Sequence, residues 1–253
     1  MIANTKEEIA PLRKAGKILA DVLRGTKAIV RPGLATSELD LFAERAIRAQ
    51  GALPAFLNYK PDGASYPYPA ALCVSLNDEV VHGIPSEKRI LKAGDVISLD
   101  LGLSFEGFFV DSAVTMCVGS CDEKAQRLLT ATQDALKDAI AAARVGARVG
   151  DIGAAVERVA QERGFAVVEE LGGHAVGKAV HEKPFISNEG KPNTGEKLPE
   201  GLVLALEPMF AEGKGAIVLE EDEWTYRMRD RSRAAHFEHT ILLTKNGPEI
   251  LTA

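Results

Sequence analysis

Four carboxylates of this 253-residue chain stand in apolar, strand-forming surroundings. Asp100 lies within Val96-Ile97-Ser98-Leu99-Asp100-Leu101 and Asp111 within Phe108-Phe109-Val110-Asp111-Ser112-Ala113-Val114. Glu207 ends the run Leu202-Val203-Leu204-Ala205-Leu206, and Glu238 opens the run that continues His239-Thr240-Ile241-Leu242-Leu243. An ionised carboxylate in such a setting costs on the order of several kcal/mol unless cations or hydrogen-bond donors meet it. Each acid alone could simply cap or bend its strand; the recurrence of one odd pattern argues for a shared cause. Gathering four negative charges in one buried place demands a comparable positive charge, which two divalent ions supply and one does not. Two ions bridged by shared carboxylates also form a site for hydrolysis. His174, in Gly172-Gly173-His174-Ala175-Val176-Gly177, is the natural nitrogen ligand, and its glycines let a backbone approach closely. A lone histidine is more often an ordinary hydrogen-bonding residue, so His174 takes its weight from the acids around it. Oxygen donors with one imidazole and no thiolate suit cobalt, manganese, iron or zinc, and the sequence does not choose among these.

The elements that must position these groups are legible. Val96 to Thr115 reads as a β-hairpin with Glu106-Gly107 or Phe105-Glu106 at its centre. For either two-residue loop, the paired positions place Asp100 and Asp111 on the same face. Thr5-Lys6-Glu7-Glu8 has the pattern of a capping box and begins a first helix, with Pro11 either in its first turn or marking a later start. Arg31-Pro32-Gly33 stops it, and Thr36 or Ser37 is expected to cap a second helix that ends at Gly51. Ser120-Cys121-Asp122-Glu123 is read as another capped start, and a further helix runs from about Asp151 to Arg163. At a constant offset of 113, Arg31, Gly33, Glu44, Arg45 and Gly51 meet Arg144, Gly146, Glu157, Arg158 and Gly164. That register predicts an internal duplication: a single domain, 1–253, of two similar halves at about 5–118 and 119–250. Within the first half, Ala52 to Ala70 carries four prolines and three tyrosines and reads as a long loop, a kind of segment that is often functional.

The composition excludes several classes. A hydrophobic content of 46% gives ample core, and no apolar run approaches the length of a membrane span. The polar N-terminus does not read as a signal peptide, so a cytoplasmic location is expected. A net charge of −6 argues against a nucleic-acid protein. Cys73, Cys117 and Cys121 show no paired spacing and are expected as core thiols, not as a disulfide framework.

Taken together, Asn77-Asp78-Glu79-Val80-Val81-His82-Gly83-Ile84-Pro85, Asp100 with Asp111, Gly173-His174 with His181-Glu182, Leu206-Glu207-Pro208-Met209 and Phe237-Glu238-His239-Thr240 resemble the methionine aminopeptidases. The resemblance covers nearly the whole chain and looks like the short bacterial, type I form. It implies an α+β "pita-bread" fold, two pseudo-symmetric halves of antiparallel sheet and covering helices around a dinuclear metal site. It also implies that Asp100, Asp111, His174, Glu207 and Glu238 are the ligands, with Asp111 and Glu238 bridging. The implied reaction removes the initiator methionine from nascent polypeptides: a bridging hydroxide, with Glu207 as acid-base partner, attacks the first peptide carbonyl. His181 would then hydrogen-bond the carbonyl oxygen and His82 would stand near the scissile nitrogen. Similar enzymes line the methionine pocket with residues matching Tyr68, Cys73, His82 and Trp224; loop packing is the plainer account of Tyr68 and Cys73.

Three positions depart from the family's usual pattern. Ala175 replaces a glycine and is expected to crowd a turn, Val180 replaces an aromatic and reshapes one pocket wall, and His236 stands where a glutamine is common. Arg227, Arg229, Arg231 and Arg233 alternate at strand period, which predicts one cationic face: a solvated surface, or a patch docking on ribosomal RNA. A monomer is the expected state. An X-Pro-cleaving relative (prolidase or aminopeptidase P type) is the rival enzyme, and a catalytically silent binding protein on the same scaffold is the rival of another class.

Overall fold

The computed structural model describes residues 1–253, in which two helix pairs cover antiparallel sheets. In chain order the first half contains α1 (Lys6–Ile29), α2 (Thr36–Ala49), β1 (Leu53–Pro54), β2 (Leu72–Leu76), β3 (Glu79–Val81), β4 (Val96–Phe105) and β5 (Phe108–Cys117). The second half contains α3 (Glu123–Ala142), α4 (Val149–Arg163), β6 (Ala166–Val167), β7 (Gly172–Ala175), β8 (Glu182–Ser187), β9 (Val203–Leu206) and β10 (Met209–Ala211). It continues through β11 (Ile217–Leu219), β12 (Tyr226–Met228), β13 (Ala234–His236), β14 (His239–Thr244) and β15 (Gly247–Ile250). One sheet has β4 at its centre, with β5 on one side and β1 and β2 on the other. The other main sheet runs β15-β14-β9-β7-β8, and both are antiparallel throughout.

The packing follows the apolar stripes of the helices. Leu12, Ile18, Leu19 and Val22 of α1 are buried with Leu39 and Ile47 of α2 against Ile97, Leu99, Leu101 and Leu103 of β4. Leu128, Leu136, Ile152 and Val156 form the matching layer with Leu204, Leu206 and Ile241. The helix pairs also match in local detail across the 113-residue offset. Glu38 and Asp151 each accept the N–H three residues back, from Ala35 and Arg148, and Gly51 and Gly164 end α2 and α4 with φ of 74° and 73°. A single antiparallel bridge precedes each second helix, Ala35 with Ile90 and Arg148 with Lys197.

Several local expectations are corrected. Pro11 lies beyond the first turn of α1, because Thr5 and Glu8 form the cap and the helix begins at Lys6. Only the hydrogen bond to Glu7 is forfeited, close to the exposed end, while the buried face from Leu12 onward holds the helix. Thr36 does not cap α2: it is buried, and its hydroxyl is engaged with the backbone of Ser86. Asp122, not Ser120, caps α3, accepting from the Ala125 N–H at 2.9 Å. Cys117 and Cys121 are not free thiols but a disulfide, because the bend at 118–120 brings their Cα atoms to 5.7 Å. Cys73 alone remains as a buried thiol. Ala175 crowds no turn; it lies in β7, buried, with ordinary strand φ, and its methyl joins the core.

The arginine face also fails to form. β12 ends at Met228, and Arg231 takes a φ of 62°, so the alternation is broken within five residues. Arg227 pairs with Glu220 at 3.1 Å, and Arg233 pairs with Asp122 at 2.7 Å and Glu212 at 2.8 Å. These cations tie the chain to itself and do not make a free patch.

Candidate metal centre

The hairpin has the register that its spacing predicts. Phe105 pairs with Phe108 around Glu106-Gly107, whose φ values of 51° and 79° belong to the turn type that matches strand twist. Asp100 opposes Ala113 and Asp111 opposes Gly102, so the two carboxylates share a face. On the other side of β4, Cys73 opposes Asp100, which places its thiol beside that carboxylate.

The second sheet brings the remaining groups. Glu207 and Glu238 lie just outside the strands that point to them, directly after β9 and directly before β14. His174 pairs with Ala205 in β9. This close ladder requires glycine at 173, where a Cβ would stand 2.4 Å from the Ala205 carbonyl oxygen. Two hydroxyls join the sheets at the site. Thr240 Oγ1 accepts from the Asp111 N–H at 2.8 Å and donates to the Asp111 carbonyl at 2.7 Å, and Ser112 Oγ donates to the Glu238 carbonyl at 2.7 Å. The Glu238 N–H in turn donates to the Ala113 carbonyl.

All ten residues singled out from the sequence line one cavity of about 490 Å³. Ligand atoms of Asp111, His174 and Glu238 lie within 4.8 Å of one another, and His174 Nε2 stands 3.4 Å from Glu207 Oε1. Asp100 closes the acidic floor beside Asp111. Phe56, Tyr68, Cys73 and Trp224 line the cavity as an apolar wall, with Val180 and Ala70 packed against them from behind and Tyr68 and Trp224 edge to face at 5.2 Å. The Tyr68 hydroxyl is spent on the Gly83 carbonyl, at 3.0 Å. His82 sits at a φ of 59° immediately after β3, its ring edge-on to Trp224 and Tyr226. His181 is presented by the turn between β7 and β8. There Glu182 Oε1 accepts the N–H groups of Lys178 and Ala179, and the His181 ring meets that of His174 at 4.5 Å.

The electrostatics of the floor call for cations. Burial, then the repulsion of Asp111 and Glu207, pushes Asp100 well above the usual carboxylate range, and burial does the same to Glu207. Glu238 is raised by burial and by Asp111, and Asp111 is pushed up to about 7. Burial lowers the imidazoles, His174 to about 3 and both His82 and His236 to about 4. His181 is lowered by burial as well, while burial raises the phenol of Tyr59. Buried oxygens of Asp100, Asp111 and Glu238 have no hydrogen-bond partner. Unpartnered acceptors converging on one point, beside a neutral imidazole, fit divalent cations.

Two residues at this centre were not picked out as site residues from the sequence. His236, only 1% exposed, stands behind Glu207 with Nε2 3.3 Å from Oε2. Its position two residues before Glu238 was the one available signal. Tyr59, from the long loop, reaches His181 with its hydroxyl.

The model of metallopeptidase family M24 matches residues 10–245. The chain belongs to metallopeptidase family M24. A methionine aminopeptidase of Aquifex aeolicus is 45% identical over 251 residues, covering 98% of this chain and 97% of the relative. The crystal structure of methionine aminopeptidase from Rickettsia prowazekii superposes with a TM-score of 0.95 at 37% identity, covering all of both chains. A prolidase from Pyrococcus furiosus shares the fold less closely, with a TM-score of 0.77 and 25% identity, and this chain covers 65% of its length. The α+β pita-bread arrangement is therefore that of M24, and the methionine aminopeptidase form of it is nearer than the prolidase form. No helix is long and apolar enough to cross a membrane.

Proposed function

We propose that this chain is a dinuclear metalloaminopeptidase that removes the initiator methionine from newly made proteins when the second residue is small. The observation that carries the reading is the meeting of three buried carboxylates, the partly buried Glu207 and one imidazole on the floor of a cavity walled by Tyr68, Cys73 and Trp224. The apolar wall suits an unbranched thioether, and the floor suits two cations beside the first peptide bond.

In this reading Asp100, Asp111, His174, Glu207 and Glu238 would hold two divalent ions, Asp111 and Glu238 being the carboxylates available to both. Ions of the cobalt, manganese, iron or zinc class, when bound, would supply Lewis acidity and make a water acidic enough to serve as nucleophile. Glu207, with Oε1 toward His174 and Oε2 toward His236, is the carboxylate that would take the nucleophile's proton. His181 donates a hydrogen bond to the carbonyl oxygen as charge develops there, and His82 attends the scissile nitrogen. Desolvation keeps both imidazoles neutral at working pH, so each has one N–H to give. The chain is read as a monomer acting in the cytosol on nascent N-termini, and as one domain of two related halves. The shared helix-pair geometry favours that duplication.

Metal-reconstituted protein should hydrolyse Met-Ala-Ser and leave Ala-Ala-Ser and Ala-Pro peptides intact. Cleavage of the Ala-Pro peptide alone would overturn the proposal in favour of a prolidase-like activity, and absence of hydrolysis with every metal tried would favour a binding protein.

A further inference from the structure

Tyr59 belongs to no strand or helix, yet its hydroxyl oxygen lies 2.8 Å from Nδ1 of His181. The loop is built around that placement. The Tyr59 N–H donates to the Phe56 carbonyl, the Tyr59 carbonyl accepts from the Tyr68 N–H, and the Asn58 N–H donates to the Tyr68 carbonyl. Asn58 supplies the left-handed turn, with a φ of 65°, that carries the chain into Tyr59. From the other side, the Glu182-closed turn fixes the imidazole, and the two rings meet at 5.4 Å with a tilt of 54°.

A neutral imidazole carries one N–H, and the bond made by one nitrogen decides what the other can do. Two arrangements satisfy the 2.8 Å contact: O–H donating to Nδ1, or Nδ1–H donating to the phenol oxygen. A phenol is a much stronger acid than a neutral imidazole N–H, and its oxygen, with a lone pair drawn into the ring, is a weaker base than an imidazole nitrogen. The first arrangement is therefore the stronger bond. We propose that Tyr59 is a positioning residue, whose hydroxyl donates to Nδ1 of His181 and fixes the Nε2–H tautomer. The donor is thereby placed on the ring edge remote from the loop, where a substrate carbonyl oxygen gains charge. With the roles reversed, Nε2 would present a lone pair to that oxygen and repel it. The inference rests on the reading of His181 as the carbonyl donor.

Tyr59→Phe keeps the ring and its packing and removes only the hydroxyl. In zinc-loaded enzyme labelled with ¹⁵N-histidine, the nitrogen shifts and couplings report the tautomer of each imidazole. The expected result is Nε2–H at His181 in the parent enzyme and a tautomer mixture in Tyr59→Phe. Loss of one hydrogen bond acting through His181 should lower kcat on Met-Ala-Ser roughly three- to tenfold, with KM little changed. In a His181→Gln background the same change should have no further effect. A parent spectrum with the proton on Nδ1 would overturn the proposal, and needs no variant to fold. An equal loss from Tyr59→Phe with and without His181 would also overturn it, since the tyrosine would then act by packing alone. Undiminished kcat in His181→Gln, whatever the tautomer, would remove the carbonyl-donor role itself and so separates that failure from the failure of the tautomer lock.

Discussion

Replacing Gly173 by alanine tests whether the β7–β9 ladder sets the spacing of the metal ligands. The new Cβ would fall 2.4 Å from the Ala205 carbonyl oxygen and 3.4 Å from Ile186 Cβ. A carbon–oxygen contact settles at about 3.3 Å, so the two strands must part by about 0.9 Å. His174 is the next residue in β7, and Glu207 follows the end of β9, with 3.4 Å between Nε2 and Oε1. Ligands about 2.0–2.1 Å from one ion at a near-tetrahedral angle lie about 3.4 Å apart, and even opposite one another they span only about 4.1 Å. An opening of about 0.9 Å therefore exceeds what one ion bridges without rebuilding the site. The metal-free protein should lose about 1–3 kcal/mol of stability from overpacking. Affinity for the ion held by His174 should fall by about 10–100-fold, as when a group that orients a ligand is lost. Titration calorimetry with zinc measures the affinity, and thermal unfolding in chelator measures the packing cost separately. A variant that is destabilised but binds zinc with unchanged affinity would refute the coupling between ladder and ligand spacing.

Glu207→Ala should weaken metal binding and abolish turnover of Met-Ala-Ser; retained activity would break the proposed proton path. Val180→Phe, introducing an aromatic into the wall formed with Tyr68 and Trp224, should narrow the pocket. Competition between methionine and bulkier N-terminal residues should then shift toward methionine, and an unchanged ratio would show that Val180 does not shape the wall. Metal-free protein should lose stability as pH rises from about 6.5 to 8. Asp111 titrates near 7 when folded, against about 3.9 unfolded, and its neighbours are raised in the same direction. The folded state therefore holds the extra protons, full stability lies below the unfolded value, and it is lost as pH rises through the folded one. The buried histidines, lowered when folded, contribute slope only below about 6.5, where the unfolded chain gains protons. The expected slope is at most about 1.4 kcal/mol per pH unit for each carboxylate still protonated, and saturating divalent ion should remove it. Melting curves across that range, with and without metal, decide the matter; a flat metal-free profile would count against a crowded acidic floor.

What the sequence made legible was periodic or local. Asp100 and Asp111 share a face because a two-residue turn permits no other parity, and the structure has that turn. The matched helix pairs were visible because glycine stops and first-turn acids recur at one spacing. What stayed hidden depended on partners distant in the chain. His236 stands out only as a departure from the family's usual glutamine until Glu207 is packed against it, and Tyr59 reads as loop until His181 arrives from 122 positions away. The arginine alternation misled because periodicity says nothing of where a strand stops, and β12 stops after Met228. Thr36 has the right residue type for a cap, yet Ser86 claims its hydroxyl from across the fold.

The hydroxyls of Ser112 and Thr240 fasten the backbone of Asp111 to that of Glu238, so the acidic floor straddles the join between the two sheets. Asp100 and Asp111 come from one side of that join, and His174, Glu207 and Glu238 from the other. Neither side alone supplies all five proposed ligands. Cations held by the proposed ligands would act as rivets through the seam, linking their loss to the parting of the halves. Amide exchange at Asp111 and Glu238 is then a measure of metal occupancy, read from the skeleton of the protein and not from its chemistry.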